Sequence, residues 1–320
     1  MKSTVYKSTG SWYIVKVSDG SEPSGQLKTF NARILGKFKI EGLTSTNPIA
    51  VGDIVTIDSD SDRKENESEA SVTITAIDDR RNYITRSSPA NKHHHHIIAS
   101  NLDQSLLFAT IKDPKTSQGF IDRFLVTAEA YRIPAVLVFN KADLYKKKEE
   151  EKFDKVKKIY EAIGYKVLSM SIETGAGVEE VKSLLKDKVT LLSGHSGVGK
   201  STFINAIFPE MKLKTQDVSG WSGKGLHTTT FAEMYDLPFG GKIIDTPGIR
   251  ELGLVDIGKQ ELSHYFPEMA ALINDCHFNN CMHINEPGCA VKAAIEEGTI
   301  HIDRYVSYLH ILDTIDENKY

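Results

Sequence analysis

The sequence has no apolar run long enough to cross a membrane. Its longest, Ile133–Phe139, falls far short of the ~20 residues a spanning helix needs. The opening MKSTVYKSTG has no apolar signal core, which predicts a cytoplasmic protein. Only three cysteines occur in 320 residues, an odd number that argues against a disulfide framework. Positive charge is not in excess either. The 39 Lys+Arg face 43 Asp+Glu, a formal net charge of −4, which argues against binding of nucleic acid by bulk charge and does not exclude a local basic surface. What remains is ordinary soluble composition, 40% hydrophobic and 26% charged, which rules out a disordered or fibrous chain. The length alone suggests two domains, or three if some are small.

The charge is unevenly spread. Residues 1–91 carry 12 bases and 12 acids, residues 92–255 carry 23 and 20, and residues 256–320 carry 4 and 11. Much of the acid in the first segment sits in Asp58–Ala70, with six acids, two bases and no large apolar residue, a composition that predicts a long solvated hairpin loop. Without it, 10 bases face 6 acids, so the body of the first segment is mildly basic.

Residues 1–90 read as short strands: Ser11–Val17, Gln26–Leu35, Ile49–Asp58, Ser71–Ile77 and Asn82–Arg86. Five strands without a helix predict a small closed barrel of OB type. From about residue 100 apolar strands alternate with helices. The strands are Ser105–Ile111, Ala135–Phe139, Lys166–Ser171, Val189–Ser193, Phe231–Leu237 and Lys242–Asp245. In Glu149–Ile163 the residues Phe153, Val156, Tyr160 and Ile163 share one helical face, and the Lys/Glu run Lys146–Lys158 covers the other. This alternation predicts a doubly wound, mainly parallel α/β sheet over residues 91–255. Residues 256–320 show no strand pattern and read as helices around a Cys/His-rich knot.

Gly194-His195-Ser196-Gly197-Val198-Gly199-Lys200-Ser201 fits G-x-x-x-x-G-K-[ST] between an apolar strand and a helix opened by Thr202. Glycines let backbone N–H groups converge on phosphate, Lys200 brings a charge to the β- and γ-phosphates, and Ser201 offers a hydroxyl to Mg²⁺. Asp245-Thr-Pro-Gly248 ends the last strand. Asp245 there can hold Mg²⁺ through water and Gly248 can point its N–H at the γ-phosphate; taken alone, the tetrapeptide could be a simple turn. Asn140-Lys141-Ala-Asp143 also ends a strand. Asp143 can accept from the ring N–H and the exocyclic amine of guanine, a pair adenine lacks, so it selects GTP over ATP. Asn140 would brace the loop, Lys141 would lie over the base, and Ser171 would complete the base pocket through its backbone. Without the phosphate loop, helix capping would explain Asp143 equally.

The order of these motifs is unusual. Ordinary GTPases place the phosphate loop first, whereas here the base-recognition motif precedes it and DTPG follows, so the sheet is circularly permuted. Between phosphate loop and DTPG lies Gly225-Leu-His227-Thr-Thr-Thr230, a candidate γ-phosphate sensor. Thr229 is its expected Mg²⁺ ligand, with Thr228 and Thr230 as alternatives, and strand entry is the structural reading of the run. The permutation sets both sensing segments beside residues 256–320, a short covalent path for nucleotide state.

All three cysteines fall in Cys276-x4-Cys281-x-His283-x5-Cys289. Three thiolates and an imidazole form a closed tetrahedral zinc set, structural rather than catalytic, with His277 as a neighbour. A short acidic segment with little core needs such a staple.

Together these residues make the chain resemble the RsgA (YjeQ) family of circularly permuted GTPases, over nearly its full length. The resemblance includes the barrel, Ile98-Ala-Ser-Asn-Leu-Asp-Gln104, NKAD, GHSGVGKS, HTTT, DTPGIR and the cysteine spacing. It implies an OB barrel (1–90), a permuted G domain (91–255) and a helical zinc-binding domain (256–320). It further implies GTP hydrolysis stimulated by the small ribosomal subunit, contact with its rRNA near the decoding region, and release of assembly factors at a late step. The expected form is a monomer with no membrane partner. The alternative is a nucleotide-switched RNA-binding module with negligible turnover, because Ile249 stands where many GTPases carry a water-orienting Gln. His227 is the candidate catalytic replacement, with loop packing as its other reading. The run His93–His96 reads as a solvated linker, with a metal or RNA contact as alternatives.

Overall fold

The computed structural model describes residues 1–10, 12–17, 28–34, 48–58, 71–87, 95–211, 232–245 and 257–315. Their described parts fall into two compact units, which do not follow sequence order. The first takes Met1–Gln104, Ser183–Ser193 and Ser219–Glu251; the second takes Ser105–Lys182, Gly194–Val218 and Leu252–Tyr320.

In the first unit five strands close a barrel: β1 (Lys2–Ser8), β2 (Tyr13–Val17), β3 (Lys28–Ile34), β4 (Ile54–Asp58) and β5 (Ser71–Ile77). The order is β1-β2-β3-β5-β4, and β4 pairs back onto β1. Closure removes the sheet edges, and Val5, Tyr13, Val15, Ala32, Val55, Ile57 and Ile74 fill the interior. The antiparallel pairing of β4 with β5 agrees with the hairpin expected around the acidic segment, whose residues 59–70 lie outside the described ones.

The strand count of five holds, but one member differs. Asn82–Arg86 does not close the barrel. As β6 (Tyr83–Ser87) it pairs antiparallel with β7 (His95–Ser100) in a separate ribbon. The barrel is closed instead by β1, which the pattern missed because two of its buried residues, Ser3 and Ser8, are polar and a β-bulge at Tyr6 breaks the alternation. His95 and His96 accordingly lie in a strand rather than a linker, while His93 and His94 fall outside the described residues.

Ribbon and barrel are tied by Asp53, which is wholly buried. Its carboxylate accepts from Arg80 through Nε (2.7 Å) and Nη2 (2.6 Å), from the Ser100 hydroxyl (2.6 Å) and from the Ala50 N–H (2.8 Å). A buried charge persists only when paired and bonded in this way. The first unit also holds β11 (Val189–Ser193), β12 (Glu233–Asp236) and β13 (Lys242–Asp245). β11 pairs parallel and β12 antiparallel with β13, and β12 pairs with β1.

In the second unit β8 (Gln104–Ala109), β9 (Ala135–Phe139) and β10 (Lys166–Ser169) run parallel. Helices α1 (Gln118–Ala130), α2 (Lys147–Ala162), α3 (Val178–Leu185, whose last residues belong to the first unit) and α4 (Lys200–Ile207) complete the α/β alternation. The Ser117 hydroxyl caps α1 by accepting from the Phe120 N–H. As expected, α2 buries Tyr160 and half-buries Phe153, Val156 and Ile163. The C-terminal residues form short 3-10 turns, α5 (Pro267–Ala270), α6 (Ala290–Glu296) and α7 (Ile302–Thr314), around Phe266, Met269, Val291, Tyr308 and Ile311. Val126 of α1 belongs to this same core.

Beneath α1 lies a buried charge network. Arg304 of α7, 1% exposed, donates to Asp122 Oδ1 of α1 (2.5 Å) and to both oxygens of Glu268 in α5 (2.7 and 3.2 Å). The Tyr160 hydroxyl donates to Asp122 Oδ1 (2.6 Å). Burial raises the Asp122 carboxyl, and the Arg304 charge with hydrogen bonds from Ser307 and Tyr160 offsets only part of that rise. We take the pair as ionised, because the Arg304 guanidinium and the Tyr160 hydroxyl both donate to Oδ1. Among the described residues, no helix is long and apolar enough to cross a membrane.

Candidate functional site: a nucleotide pocket and a cysteine–histidine centre

The phosphate loop is shaped by its glycines. Gly194, Gly197 and Gly199 have φ of 136°, 82° and 98°, a region that side chains rarely adopt. At Gly199 a Cβ would also lie 2.2 Å from Asn140 Nδ2. This close approach has a purpose, since Asn140 is 2% exposed and its amide donates to Val198 O (2.8 Å). The expected brace is thus a hydrogen bond from the NKAD segment into the phosphate loop. Lys200 rests its Nζ on Gly194 O (2.5 Å) and His195 O (3.0 Å), which holds its charge at the loop. Ser201 and Thr202 lie in the first turn of α4, Ser201 half-buried and Thr202 exposed, while Ser196 is exposed at the loop tip.

The residues expected to recognise the base lie after the ends of β9 and β10. Lys141 takes a left-handed conformation (φ 65°), and its Nζ donates to Asp113 O. Asp143 is exposed and its Oδ1 accepts from the Ser171 hydroxyl (2.5 Å). Ser171 is 1% exposed; its hydroxyl also accepts from the Thr174 N–H, and its own N–H donates to Ala176 O. Ser171 therefore meets Asp143 through its side chain, a contact the backbone role read from the sequence did not include. Two further residues went unread. Phe120 stacks on His195 at 3.6 Å between ring centroids, and the carbonyl of Asp113 receives Lys141. Neither sits in a motif, and no spacing rule would have found them.

Asp245 ends β13, whose Ile243 and Ile244 are fully buried. Across the ladders it stands opposite Leu192, two residues before Gly194, and opposite Glu233 of β12. Its carboxylate is a hard oxygen donor of the kind Mg²⁺ takes. His227, Thr229 and Gly248, together with Thr228, Thr230 and Ile249, lie outside the described residues.

The four residues of the cysteine–histidine motif come together. One ligand atom from each of Cys276, Cys281, His283 and Cys289 lies within 4.8 Å of all the others. His283 Nδ1 is 3.7 Å from Cys276 Sγ and 3.3 Å from Cys289 Sγ. Tetrahedral ligands at ~2.0–2.3 Å from a metal stand about 3.3–3.8 Å apart, so the group could hold a metal ion. His277 is not part of it and stacks edge-on against Phe278.

The turn carrying His283 (φ 59°) is fixed from several sides. Glu286 accepts the N–H groups of Met282, Ile284 and Asn285. Burial tends to raise the Glu286 carboxyl, but these N–H groups hold it below the usual carboxylate range. Tyr305 and Tyr308 donate to the carbonyls of His283 (2.6 Å) and Met282 (2.8 Å). Burial, with neighbouring thiols adding, pushes the Cys281 thiol up to about 12. A bound dication reverses that preference and makes the sulfur a thiolate ligand.

A phosphate loop and an NKxD motif in reversed order, with a closed barrel ahead of them, define a circularly permuted GTPase. The RsgA GTPase family model matches residues 77–255. The chain is 53% identical over 319 residues to a small ribosomal subunit biogenesis GTPase RsgA of Flavobacterium psychrophilum, covering 99% of this chain and 94% of that one. Among solved structures it is similar to YjeQ from Thermotoga maritima (34% identity, TM-score 0.74, 98% and 97% of the two chains). It is likewise similar to YloQ, a circularly permuted GTPase (28% identity, TM-score 0.74, 100% and 96%). The chain belongs to the RsgA GTPase family, and its reaction is the hydrolysis of GTP.

Proposed function

We propose that this GTPase binds the small ribosomal subunit and its rRNA, is stimulated by it, and uses GTP hydrolysis to drive a late assembly step that includes release of assembly factors. The observation carrying the nucleotide half of this reading is the Asn140–Val198 hydrogen bond, which links base recognition to the phosphate loop. The ribosomal half is supported by the names of its relatives. Segments 1–90, 91–255 and 256–320 act as barrel, G domain and metal domain of a cytoplasmic monomer.

In this reading GTP is held by Asn140, Lys141, Asp143, Ser171, Gly194–Thr202 and Gly248. Mg²⁺ is held by Ser201, Thr229 and Asp245, and when bound it neutralises charge on the β- and γ-phosphates. Lys200 supplies a fixed cation at the same oxygens, and His227 orients the water. The S₃N donor set favours zinc, in a structural role.

Co-sedimentation with isolated small and large subunits, with GDP or a non-hydrolysable GTP analogue, tests the function. Analogue-dependent pelleting with small subunits is expected; equal or absent pelleting with both subunits would reject it. Phosphate release with and without small subunits separates an enzyme from a passive switch. The zinc reading has its own test. Native mass spectrometry should find one zinc per chain, lost in Cys281→Ser, and the variant's C-terminal amides should exchange faster with solvent. A variant that keeps its metal and its protection would contradict the reading.

A further inference from the structure

The phosphate loop gains a partner from outside every motif. Helix α1 begins after a turn that closes on itself: the Thr110 N–H donates to Thr116 Oγ1 (3.0 Å), and the Thr116 N–H donates to Thr110 O (2.9 Å). The Ser117 hydroxyl then accepts from the Phe120 N–H (3.3 Å), which fixes the backbone of the helix's third residue. Two residues on, Asp122 is wholly buried and bonded to Arg304 and Tyr160. Phe120 is thus mounted between two fixed points. Its half-buried ring stacks on His195 at 3.6 Å between centroids, with the planes 28° apart.

His195 is the second residue of the phosphate loop, and the stack reaches the loop's cation in one step. The His195 carbonyl accepts from Lys200 Nζ (3.0 Å), next to Gly194 O (2.5 Å). Gly194 in turn lies so close to β8 that a Cβ there would stand 2.3 Å from Phe108 O. The loop is therefore seated on β8 at Gly194 and pinned by Phe120 at the next residue. Gly194, Gly197 and Gly199 all take positive φ, in a run whose glycines lose much freedom when ordered. His195 is the first side chain in that run, and a ring stacked on it restrains the free loop and lowers the ordering cost of binding. All of these groups belong to the second unit.

We propose that Phe120 is a positioning residue for the guanine nucleotide, acting through His195 to preorganise the phosphate loop and the seat of Lys200. This rests on the assignment of Gly194–Thr202 to the phosphates. Phe120→Ala should weaken GDP and a non-hydrolysable GTP analogue each by about three- to tenfold, the range an aromatic pair supplies. GMP, which has no β-phosphate, should lose less than about twofold, because Asn140 and Asp143 are untouched. KM for GTP should rise by the same factor as the GDP loss with kcat little changed, the mark of binding lost equally in ground and transition states. Phe120→Tyr, which keeps the stack, should behave as wild type, and Phe120→Leu, which keeps apolar bulk alone, should show most of the loss.

Because the effect runs through His195, the two changes should not add. On a His195→Ala background, Phe120→Ala should alter GDP affinity by less than about twofold. Titration calorimetry gives the affinities. Urea unfolding checks each variant, and Phe120→Leu carries the comparison should Phe120→Ala not fold. Wild-type GDP affinity in Phe120→Ala would overturn the proposal. So would equal losses for GDP and GMP, or full additivity with His195→Ala, since each marks a merely structural role. Lys200→Ala tests the assignment beneath: if it binds GDP as wild type does, the phosphate-loop reading itself fails.

Discussion

Arg304→Ala should destabilise the second unit by about 3–5 kcal/mol, the usual cost of removing one partner from a buried ion pair. The side chain is 1% exposed and serves two carboxylates on different elements, Asp122 in α1 and Glu268 in α5. Its loss leaves both without their cation, in surroundings where Asp122 is already pushed towards neutrality by burial. The guanidinium also lies 4.6 Å over the Phe266 ring, so packing is lost with the charge. Arg304→Lys should recover little, because one ammonium cannot span both carboxylates as the planar fork does. The triple change Arg304→Met, Asp122→Asn, Glu268→Gln should cost much less than Arg304→Ala, since it removes the charges together. Urea denaturation of the three proteins decides the matter. Equal midpoints for Arg304→Ala and wild type would show that the network contributes nothing.

Asp143→Ala should lower GTP and GDP affinity by about 10²–10⁴-fold. Each hydrogen bond to a charged acceptor contributes about 1.5–3 kcal/mol, and guanine offers two donors to this carboxylate. Affinity for ATP, which presents no such pair, should be unchanged, so the variant loses discrimination along with strength. Ser171→Ala should reproduce a smaller part of the loss, because its hydroxyl donates to the Asp143 carboxylate and helps to aim it. Fluorescent-nucleotide titration measures all three. If Asp143→Ala binds GDP as wild type does, guanine recognition lies elsewhere.

The nucleotide-binding and metal-ligand motifs were legible because their chemistry needs fixed spacings. A phosphate loop has to present glycines, a lysine and a hydroxyl within eight residues, and four metal ligands fell within fourteen. The parallel strands were legible because both faces are buried and they read as apolar runs, as at Ala135–Phe139 and Val189–Ser193. β1 was not, since Ser3 and Ser8 are buried polar residues and the bulge at Tyr6 interrupts the period. Asn82–Arg86 alternates as a barrel strand would, and only its partner, β7, distinguishes the two. Pairings such as Lys7 with Glu233 and Arg304 with Asp122 join residues far apart in sequence, and no local pattern encodes them.

The position of β1 also bears on how the protein is made. Its first half pairs with β4 and its end with β12, so all five barrel strands are complete by Ile77 while the last neighbour of β1 arrives some 150 residues later. At the ~5–20 residues per second of synthesis, the barrel can close and then wait roughly ten to thirty seconds with the tip of one strand unpaired. An unpaired strand end invites association between nascent chains, and a lysine there is a common protection. Lys7 occupies that tip, guarding the edge until Glu233 emerges to neutralise it.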